Sequence, residues 1–143
     1  MVCMILVLDA AALLNNDSFE FRHGDEYFTT PEVFSEWRSF SSRALSQNAL
    51  KSGALKIKSP SEESLGLAKD KCAETGTILG KADVSIIALA LDLRASGIDF
   101  IVLTDDYSVQ NVLKFLGIKF DGVIQGTIRK QRFFRSRKKN SRI

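Results

Sequence analysis

The sequence predicts an α/β fold with a mainly parallel central sheet and helices on both faces. Apolar segments of strand length alternate along the chain with longer helical segments. The segments Cys3 to Leu8 and Phe100 to Leu103 are apolar throughout, as in parallel strands that helices cover on both sides, and do not alternate between apolar and polar residues. The 143 residues, of which 45% are hydrophobic and 26% charged, match one ordinary globular domain and exclude a fibrous or wholly disordered chain.

The first predicted strand, Cys3 to Leu8, is continuously apolar and ends at Asp9. A short helical segment, Ala10 to Leu14, follows it. The segment Asn15 to Asp25 is rich in Asn, Asp, Ser and Gly, which predicts a loop. Strand, acid and polar loop therefore follow one another at the start of the chain.

The next predicted elements are a helix and a short strand. Thr30 followed by Pro31 is typical of an N-cap and a first helical position, and Gly53 ends this helical region. The apolar stripe of the helix is formed by Val33, Trp37 and Phe40. Leu55 to Ile57 then predicts a short second strand.

Two further helices follow in the middle of the chain. Ser59 and Pro60 followed by Glu62 form a capping-box-like start, and Gly76 ends this helix. The segment Ala82 to Ala95 is dense in Ile, Ala and Leu and predicts the most hydrophobic helix.

The last predicted elements are a strand at Phe100 to Leu103, a helix at Ser108 to Leu116 that Gly117 ends, and a strand at Phe120 to Ile124. Parallel strands are usually joined by right-handed βαβ crossovers. The alternation therefore predicts helices on both faces of the sheet.

Charge is distributed unevenly along the chain. The formal net charge is +3, but 8 of the 20 basic residues lie in the last 15 positions, and no acid follows Asp121. The rest holds 12 basic and 17 acidic residues, a net charge of −5. We predict a compact domain at residues 1–126 and a basic, polyanion-binding tail at residues 127–143, with a merely solubilising tail as the alternative. The predicted binding residues are Arg129, Lys130, Arg132, Arg135, Arg137, Lys138 and Lys139.

Membrane insertion, secretion and zinc binding are not expected. The apolar runs Met4 to Leu8 and Ile86 to Leu91 are far shorter than the roughly 20 residues of a membrane span. Asp9 interrupts the first of them, so no signal-peptide pattern opens the chain, and we predict a cytoplasmic protein. The cysteines, Cys3 and Cys72, have no CxxC spacing and are expected to be small buried side chains.

Polar residues follow two of the predicted strands directly. In open parallel sheets the functional crevice lies outside the carboxyl ends of the strands. Asp9 follows the first strand, and Thr104, Asp105 and Asp106 follow the strand that ends at Leu103. Each group by itself is also typical of a turn or a helix cap.

Two further acids lie on predicted helices. Asp83 is at the start of the most hydrophobic helix, where the helix dipole keeps a carboxylate ionised, although capping explains it equally. Glu36 lies closer than Glu32 to the apolar stripe of its helix, so we expect it to face the crevice, where an unpaired carboxylate needs a cation. A salt bridge to Arg38 or Arg43 is the alternative.

Together these acids predict a site for a divalent ion, because no Lys, Arg or His occupies an equivalent position. The candidate ligands are Asp9, Glu36, Asp83, Asp105 and Asp106. Mg²⁺ and Mn²⁺ favour such oxygen ligands, and in phosphodiester cleavage these ions activate water and stabilise the leaving oxygen. His23, the single histidine, has no partner visible in the sequence and is interpreted as a surface residue.

Four segments around these acids carry a family resemblance. They are VLDAAALL (Val7 to Leu14), YFTTPEVFSEWRS (Tyr27 to Ser39), ADVSIIALALDL (Ala82 to Leu93) and VLTDDYSVQNVLKFLGI (Val102 to Ile118). The sequence resembles the PIN-domain nucleases and, within them, the archaeal Nob-type endonucleases. The resemblance covers roughly residues 5 to 125, and its TDDYSVQNV stretch is the most discriminating part.

The resemblance implies a PIN-like three-layer fold and a metal-dependent endoribonuclease that removes the 3′ extension of precursor small-subunit ribosomal RNA, with pre-ribosomal particles as partners. The catalytic and metal-binding residues that it implies are Asp9, Glu36, Asp83, either Asp105 or Asp106, and the hydroxyl of Thr104. The general PIN pattern of Thr, any residue, then Asp favours Asp106. Nob-type proteins generally carry a four-cysteine zinc ribbon after the PIN domain, whereas here basic residues follow it.

Three alternatives share parts of this pattern. A toxin-type PIN ribonuclease that cuts transfer or messenger RNA would have the same fold and acids, but TDDYSVQN argues against it. A phosphoacceptor receiver domain would need an acidic pair after the first strand, whereas here the pair follows a late strand. A catalytically silent RNA-binding scaffold would leave the complete set of acids unexplained.

Overall fold

A computed structural model describes residues 4–10, 12, 24–40 and 43–122, with only the backbone for residue 40 and residues 43–46. The strands are β1 (Ile5–Leu8), β2 (Glu26–Thr29), β3 (Leu55–Ile57), β4 (Ile101–Leu103) and β5 (Phe120–Asp121). The helices are α1 (Pro31–Phe40), α2 (Arg43–Lys51), α3 (Glu62–Thr75), α4 (Lys81–Ala95) and α5 (Tyr107–Leu116). The predictions made for Cys3, His23, most of the loop at 15–25 and the basic tail concern residues outside this described part of the chain.

The five strands form one sheet in the order β3-β2-β1-β4-β5, and every pair is parallel. The chain moves outward from β1 through β2 to β3, then crosses back to β4 and moves outward on the other side. Because βαβ crossovers are right-handed, these two directions place helices on opposite faces. The predicted α/β fold with a parallel sheet between helices is confirmed.

Strand β2 is the one element of the sheet that the sequence pattern does not predict. It has four residues, of which Tyr27 and Thr29 are buried and the other two are partly exposed. So short an alternating segment, directly before a helix start, lacks the continuous apolar run that marks β1. Pairing with β1 and β3 on its two sides supplies the stability that its own sequence does not signal.

The predicted helix boundaries agree closely with the structure. The backbone N–H of Val33 donates to Oγ1 of Thr30 at 3.2 Å, so Thr30 caps α1 as expected. The cap of α3 is Ser61 and not Ser59, because the backbone N–H of Ser64 donates to the Ser61 hydroxyl at 3.1 Å.

Helix α4 is the central helix of the core. Ten of its fifteen residues are buried, which fits its high content of Ile, Ala and Leu. It packs against α1, α3, α5 and β1, so its first turn has a defined position relative to the sheet edge.

None of the described helices is both long and apolar enough to cross a membrane. Cys72 is a buried free thiol, as expected.

Candidate active site

Asp9 and Thr104 meet where the strand order reverses, between β1 and β4. Both side chains are completely buried. The hydroxyl of Thr104 donates a hydrogen bond to Oδ2 of Asp9, and the backbone N–H of Ala12 donates to Oδ1 of Asp9 at 2.8 Å. Crevices at such switch points are the usual ligand sites of open parallel sheets. The two segments that the sequence placed after apolar strands are therefore joined into one site.

The carboxylate of Asp9 is held in a position that opposes its ionisation. The pKa of Asp9 is raised to about 7, mainly by burial and also by the negative charges of Asp83 and Asp106, although the hydrogen bonds from Thr104 and Ala12 act in the opposite direction. A capping residue at the surface would need no such burial. A cation placed beside Asp9 would offset both the desolvation and the repulsion.

Asp83 belongs to the same electrostatic cluster. It lies in the first turn of α4 and is half-buried. Its pKa is raised to about 6, mainly by burial and also by the charges of Asp106 and Glu36. The structure thus places four acids from separate segments of the chain close enough to interact electrostatically. They are Asp9, Glu36, Asp83 and Asp106.

A buried hydroxyl pair fixes the two helices that carry Glu36 and Asp83. Oγ1 of Thr30, at the start of α1, lies 2.7 Å from Oγ of Ser85 in α4. Ser85 also donates to the backbone carbonyl of Ala82 at 2.5 Å. Because both serine and threonine are buried, this contact positions the first turns of α1 and α4 against each other.

Asp105 and Asp106 have different surroundings. The backbone N–H of Asp106 donates to Oγ1 of Thr104 at 3.1 Å, and its Oδ1 accepts the backbone N–H of Ser108 at 2.8 Å as the N-cap of α5. Asp105 is exposed, and a Cβ on Gly122 would lie only 2.6 Å from its Oδ1. The Asp105 side chain therefore lies against the residue after β5, whereas the charge of Asp106 acts on Asp9 and Asp83.

The exposure of Glu36 differs from what the sequence predicts. Glu36 is exposed, and the buried residues of α1 are Val33, Phe34 and Trp37. Burial of Phe34 turns the apolar stripe away from Glu36, so the desolvation that we expected there does not occur. Glu36 still reaches the cluster, as its effect on the pKa of Asp83 shows. Glu32 is the partly buried one, and its Oε1 has no hydrogen-bond partner among the described residues.

The donor set fits a hard divalent ion, although the described side chains do not enclose one by themselves. No group of three or more acidic, histidine or cysteine side chains in this part of the chain converges on a common point. The ion pairs Lys56–Glu26, Lys71–Glu74 and Lys119–Asp99 in the described part of the chain include none of the four cluster acids. An open cluster of this kind suits Mg²⁺ or Mn²⁺, which commonly keep several waters and bind only one or two carboxylates.

Two further residues, outside the predicted set of site residues, contribute to the site. The side-chain amide of Gln110 donates to the backbone carbonyl of Thr104 at 2.8 Å and so ties α5 to the loop that carries the acids. Asp121, at the end of β5, is a buried acid whose backbone carbonyl accepts the N–H of Thr104 at 2.9 Å. The sequence pattern placed Asp121 inside a strand from Phe120 to Ile124, whereas β5 ends at Asp121, so the pattern did not show that this acid lies at a strand end.

The fold and this acidic cluster define the class of the protein as a nuclease built on a parallel α/β sheet. Residues 6–93 match the family described as the PIN domain of ribonuclease, and the chain belongs to this family. Nucleases of this family generally depend on a divalent metal, which fits the acidic cluster.

Two curated relatives are similar to this chain over most of its length. The chain is 42% identical over 130 residues to Endoribonuclease Nob1 of Methanothermobacter thermautotrophicus, covering 90% of this chain and 74% of the relative. It is 37% identical over 123 residues to Endoribonuclease Nob1 of Pyrococcus abyssi, covering 85% of this chain and 70% of the relative. The expected resemblance to PIN-domain and Nob-type nucleases is confirmed.

Solved structures confirm the fold independently. A crystal structure of VapBC2 from Rickettsia felis bound to a DNA fragment from its promoter contains a similar chain. The TM-score is 0.56 at 15% sequence identity, over 83% of this chain and 98% of that chain. At this level of identity the similarity concerns the fold alone.

Proposed function

We propose that this chain is a divalent-metal-dependent endoribonuclease that cleaves precursor small-subunit ribosomal RNA in a single-stranded segment near its mature 3′ end. The observation that carries the proposal is the buried carboxylate of Asp9, held at the switch point within the field of Asp83 and Asp106. Such an arrangement costs stability unless a cation is bound, and clustered carboxylates that bind Mg²⁺ or Mn²⁺ are suited to phosphodiester hydrolysis.

In this proposal Asp9, Asp83 and Asp106 surround the ion, one or two of them binding it directly and the others through its waters, and Glu36 contributes from the exposed side of the cluster. The bound ion supplies positive charge where negative charge develops on the scissile phosphate. Thr104 orients the carboxylate of Asp9 and the backbone of Asp106 through its single hydroxyl. Asp106 is held further by its capping bond to Ser108. The residues therefore position the ion and the phosphate, and no side-chain general base is needed.

The substrate follows from the resemblance and from the shape of the site. Relatives that are 37% and 42% identical carry the name Endoribonuclease Nob1, and the Nob-type resemblance implies maturation of small-subunit ribosomal RNA. The cluster lies at the carboxyl ends of the central strands β1 and β4. An extended RNA single strand can reach this position more readily than a stacked A-form duplex can. Few side chains there can read bases, so accurate cleavage is expected to depend on the pre-ribosomal particle.

The test compares metal-dependent cleavage of four RNAs of equal length by the full chain. These are a precursor segment spanning the mature 3′ end, the same segment annealed to its complement, an unrelated single strand and a transfer RNA. With Mn²⁺ or Mg²⁺ we expect cleavage of the single strands and resistance of the duplex. Within a pre-ribosomal particle, we expect one cut at the mature end. EDTA and Asp83→Asn should each reduce cleavage by at least about a hundredfold.

Asp70→Asn is the matched control, because it removes an exposed acid on α3 and should leave cleavage unchanged. Full activity in EDTA or in the Asp83→Asn protein would overturn the metal-dependent mechanism. A preference for the transfer RNA over the precursor, with metal dependence intact, would favour the toxin-type activity instead.

A further inference from the structure

A groove runs along α5 beside the acidic cluster. Its volume is about 450 Å³, which lies within the range of small-molecule sites. Tyr107, the first residue of α5, lines the groove and directly follows Asp106. One end of the groove is therefore lined by the residue next to Asp106, a member of the candidate active site.

The groove exposes an aromatic ring in a way that packing does not explain. Tyr107 is 86% exposed, and Ile78, which follows the groove residue Thr77, is 96% exposed. These are the two most exposed large hydrophobic side chains in the described part of the chain. A large side chain that contacts almost nothing in the protein does not stabilise the fold, whereas an exposed aromatic ring is what an unpaired base stacks on.

The rest of the groove has the hydrogen-bonding groups and the charge that a nucleotide requires. Asn111 and Lys114 line it together with Tyr107. The spacing of i, i+4 and i+7 places these three residues in one row along the helix, over about 10 Å. The lining residues include a lysine and no acid, in contrast to the neighbouring cluster of carboxylates. An RNA strand leaving the cluster would thus pass from acids to a neutral-to-basic surface.

We propose that this row binds one unpaired nucleotide of single-stranded RNA next to the cleaved bond, with the base stacked on Tyr107, its edge hydrogen-bonded by Asn111 and its phosphate paired with Lys114. The inference rests on the proposed ribonuclease function and deepens it, since it assigns a substrate-binding subsite to residues that the metal site leaves unused. It also gives the open catalytic cluster a means of holding the strand in register.

The experiment measures binding of fluorescently labelled single-stranded RNA to the full chain in EDTA by anisotropy, so that no cleavage occurs. Tyr107→Ala should weaken affinity between about 5- and 150-fold, the range expected for loss of one stacked base, whereas Tyr107→Phe should stay close to wild type. Phe115→Ala is the matched control, because Phe115 is a 54% exposed aromatic residue of the same helix that does not line the groove.

Two further measurements separate stacking from a general loss of affinity. An RNA series with one abasic nucleotide at successive positions should contain one member for which wild type and Tyr107→Ala bind equally. Lys114→Gln should lower the slope of log affinity against log salt by about 0.7, the value for one contact to a single strand. Lys69→Gln, which removes an exposed lysine of α3, should not change that slope.

Equal losses in Tyr107→Ala and Phe115→Ala, or no position at which an abasic nucleotide removes the difference, would overturn the subsite. Wild-type protein that binds no RNA in EDTA would also overturn it, because the three contacts involve no metal. Cleavage with Mn²⁺, measured in parallel, keeps the two proposals apart. A Tyr107-specific loss of binding without any cleavage would leave the subsite standing and refute the nuclease function. Cleavage with Mn²⁺ by a protein whose RNA affinity does not depend on Tyr107 would support the nuclease function and refute the subsite.

Discussion

The hydroxyl of Thr104 donates a hydrogen bond to the carboxylate of Asp9, which lies 95 residues earlier in the chain. The same oxygen accepts the backbone N–H of Asp106 at 3.1 Å. One buried hydroxyl therefore aligns the acid that follows β1 with the acid that follows β4. This bond adds a direct side-chain link between two acids that follow neighbouring, paired strands.

Replacing Thr104 should separate its positioning role from simple packing. Thr104→Val keeps the shape but leaves an Asp9 oxygen and the Asp106 N–H without a partner, which should cost about 1–3 kcal/mol of unfolding free energy. Cleavage should fall by roughly 10- to 100-fold because the acids lose their alignment. Thr104→Ser should retain most of both properties. Urea unfolding and single-turnover cleavage measure the two effects, and a Val variant that matches wild type would contradict the role of the hydroxyl.

Stability of the metal-free protein should fall as pH rises. The pKa of Asp9 is about 7 in the folded protein against an ordinary 3.8, so between these values the folded state keeps a proton that the unfolded state has lost. The resulting stability is fully present below about pH 4 and is lost as pH rises through about 7. Asp83, with a pKa of about 6, acts in the same direction. In EDTA, Tm should therefore drop by several degrees between pH 5 and pH 8, since about 1 kcal/mol corresponds to roughly 3–5 °C in a domain of this size.

Removing the carboxylate or adding metal should suppress this pH effect. Asp9→Asn should flatten the dependence of Tm on pH in EDTA, whereas the exposed control Asp70→Asn should follow wild type. Mn²⁺ should raise Tm more at pH 8 than at pH 5, because the ion competes with the protons on the same acids. A wild-type Tm in EDTA that rises steadily from pH 5 to pH 8 is the result that these pKa shifts do not allow.

Asp105 and Asp106 should differ in their effect on cleavage. Asp106→Asn removes a charge from the cluster while asparagine can still cap α5, so folding should be retained and cleavage should fall by at least about a hundredfold. Asp105→Asn should change cleavage far less, since its side chain lies against Gly122 and its charge is not among the causes of the raised pKa of Asp9 or of Asp83. Rates for the two variants, with circular dichroism as a folding control, decide the assignment. The reverse order of effects would make Asp105 the ligand.

The basic tail is predicted to supply much of the RNA affinity. The remainder of the chain has a net charge of −5 and would repel a polyanion in the absence of metal. Deletion after Thr127 should weaken RNA binding and flatten its salt dependence by about 0.7 for each lost contact to a single strand. The measurement is affinity across a salt series for the full and shortened chains. An unchanged slope would identify the tail as a solubilising extension.

Much of the fold could be predicted from local patterns. Continuous apolar runs indicated β1 and β4, and Gly117 marked the end of α5, where its φ of 74° favours glycine. The pattern failed at β2, whose four residues depend on neighbours on both sides. It also placed the α3 cap at Ser59, because either of two nearby serines satisfies a capping motif and only the backbone geometry selects Ser61.

The sequence by itself determined which acids were available and that most of them follow strands or open helices, because hydrophobic periodicity sets where elements end. It could not determine which of these carboxylates lie close enough to change one another's pKa. That depends on the strand order, which brings β1 and β4 side by side, and on the Thr30–Ser85 contact between α1 and α4. Tertiary packing alone buried Asp9, left Glu36 exposed and set the side chain of Asp105 against Gly122, since burial and orientation arise from contacts between residues far apart in the chain.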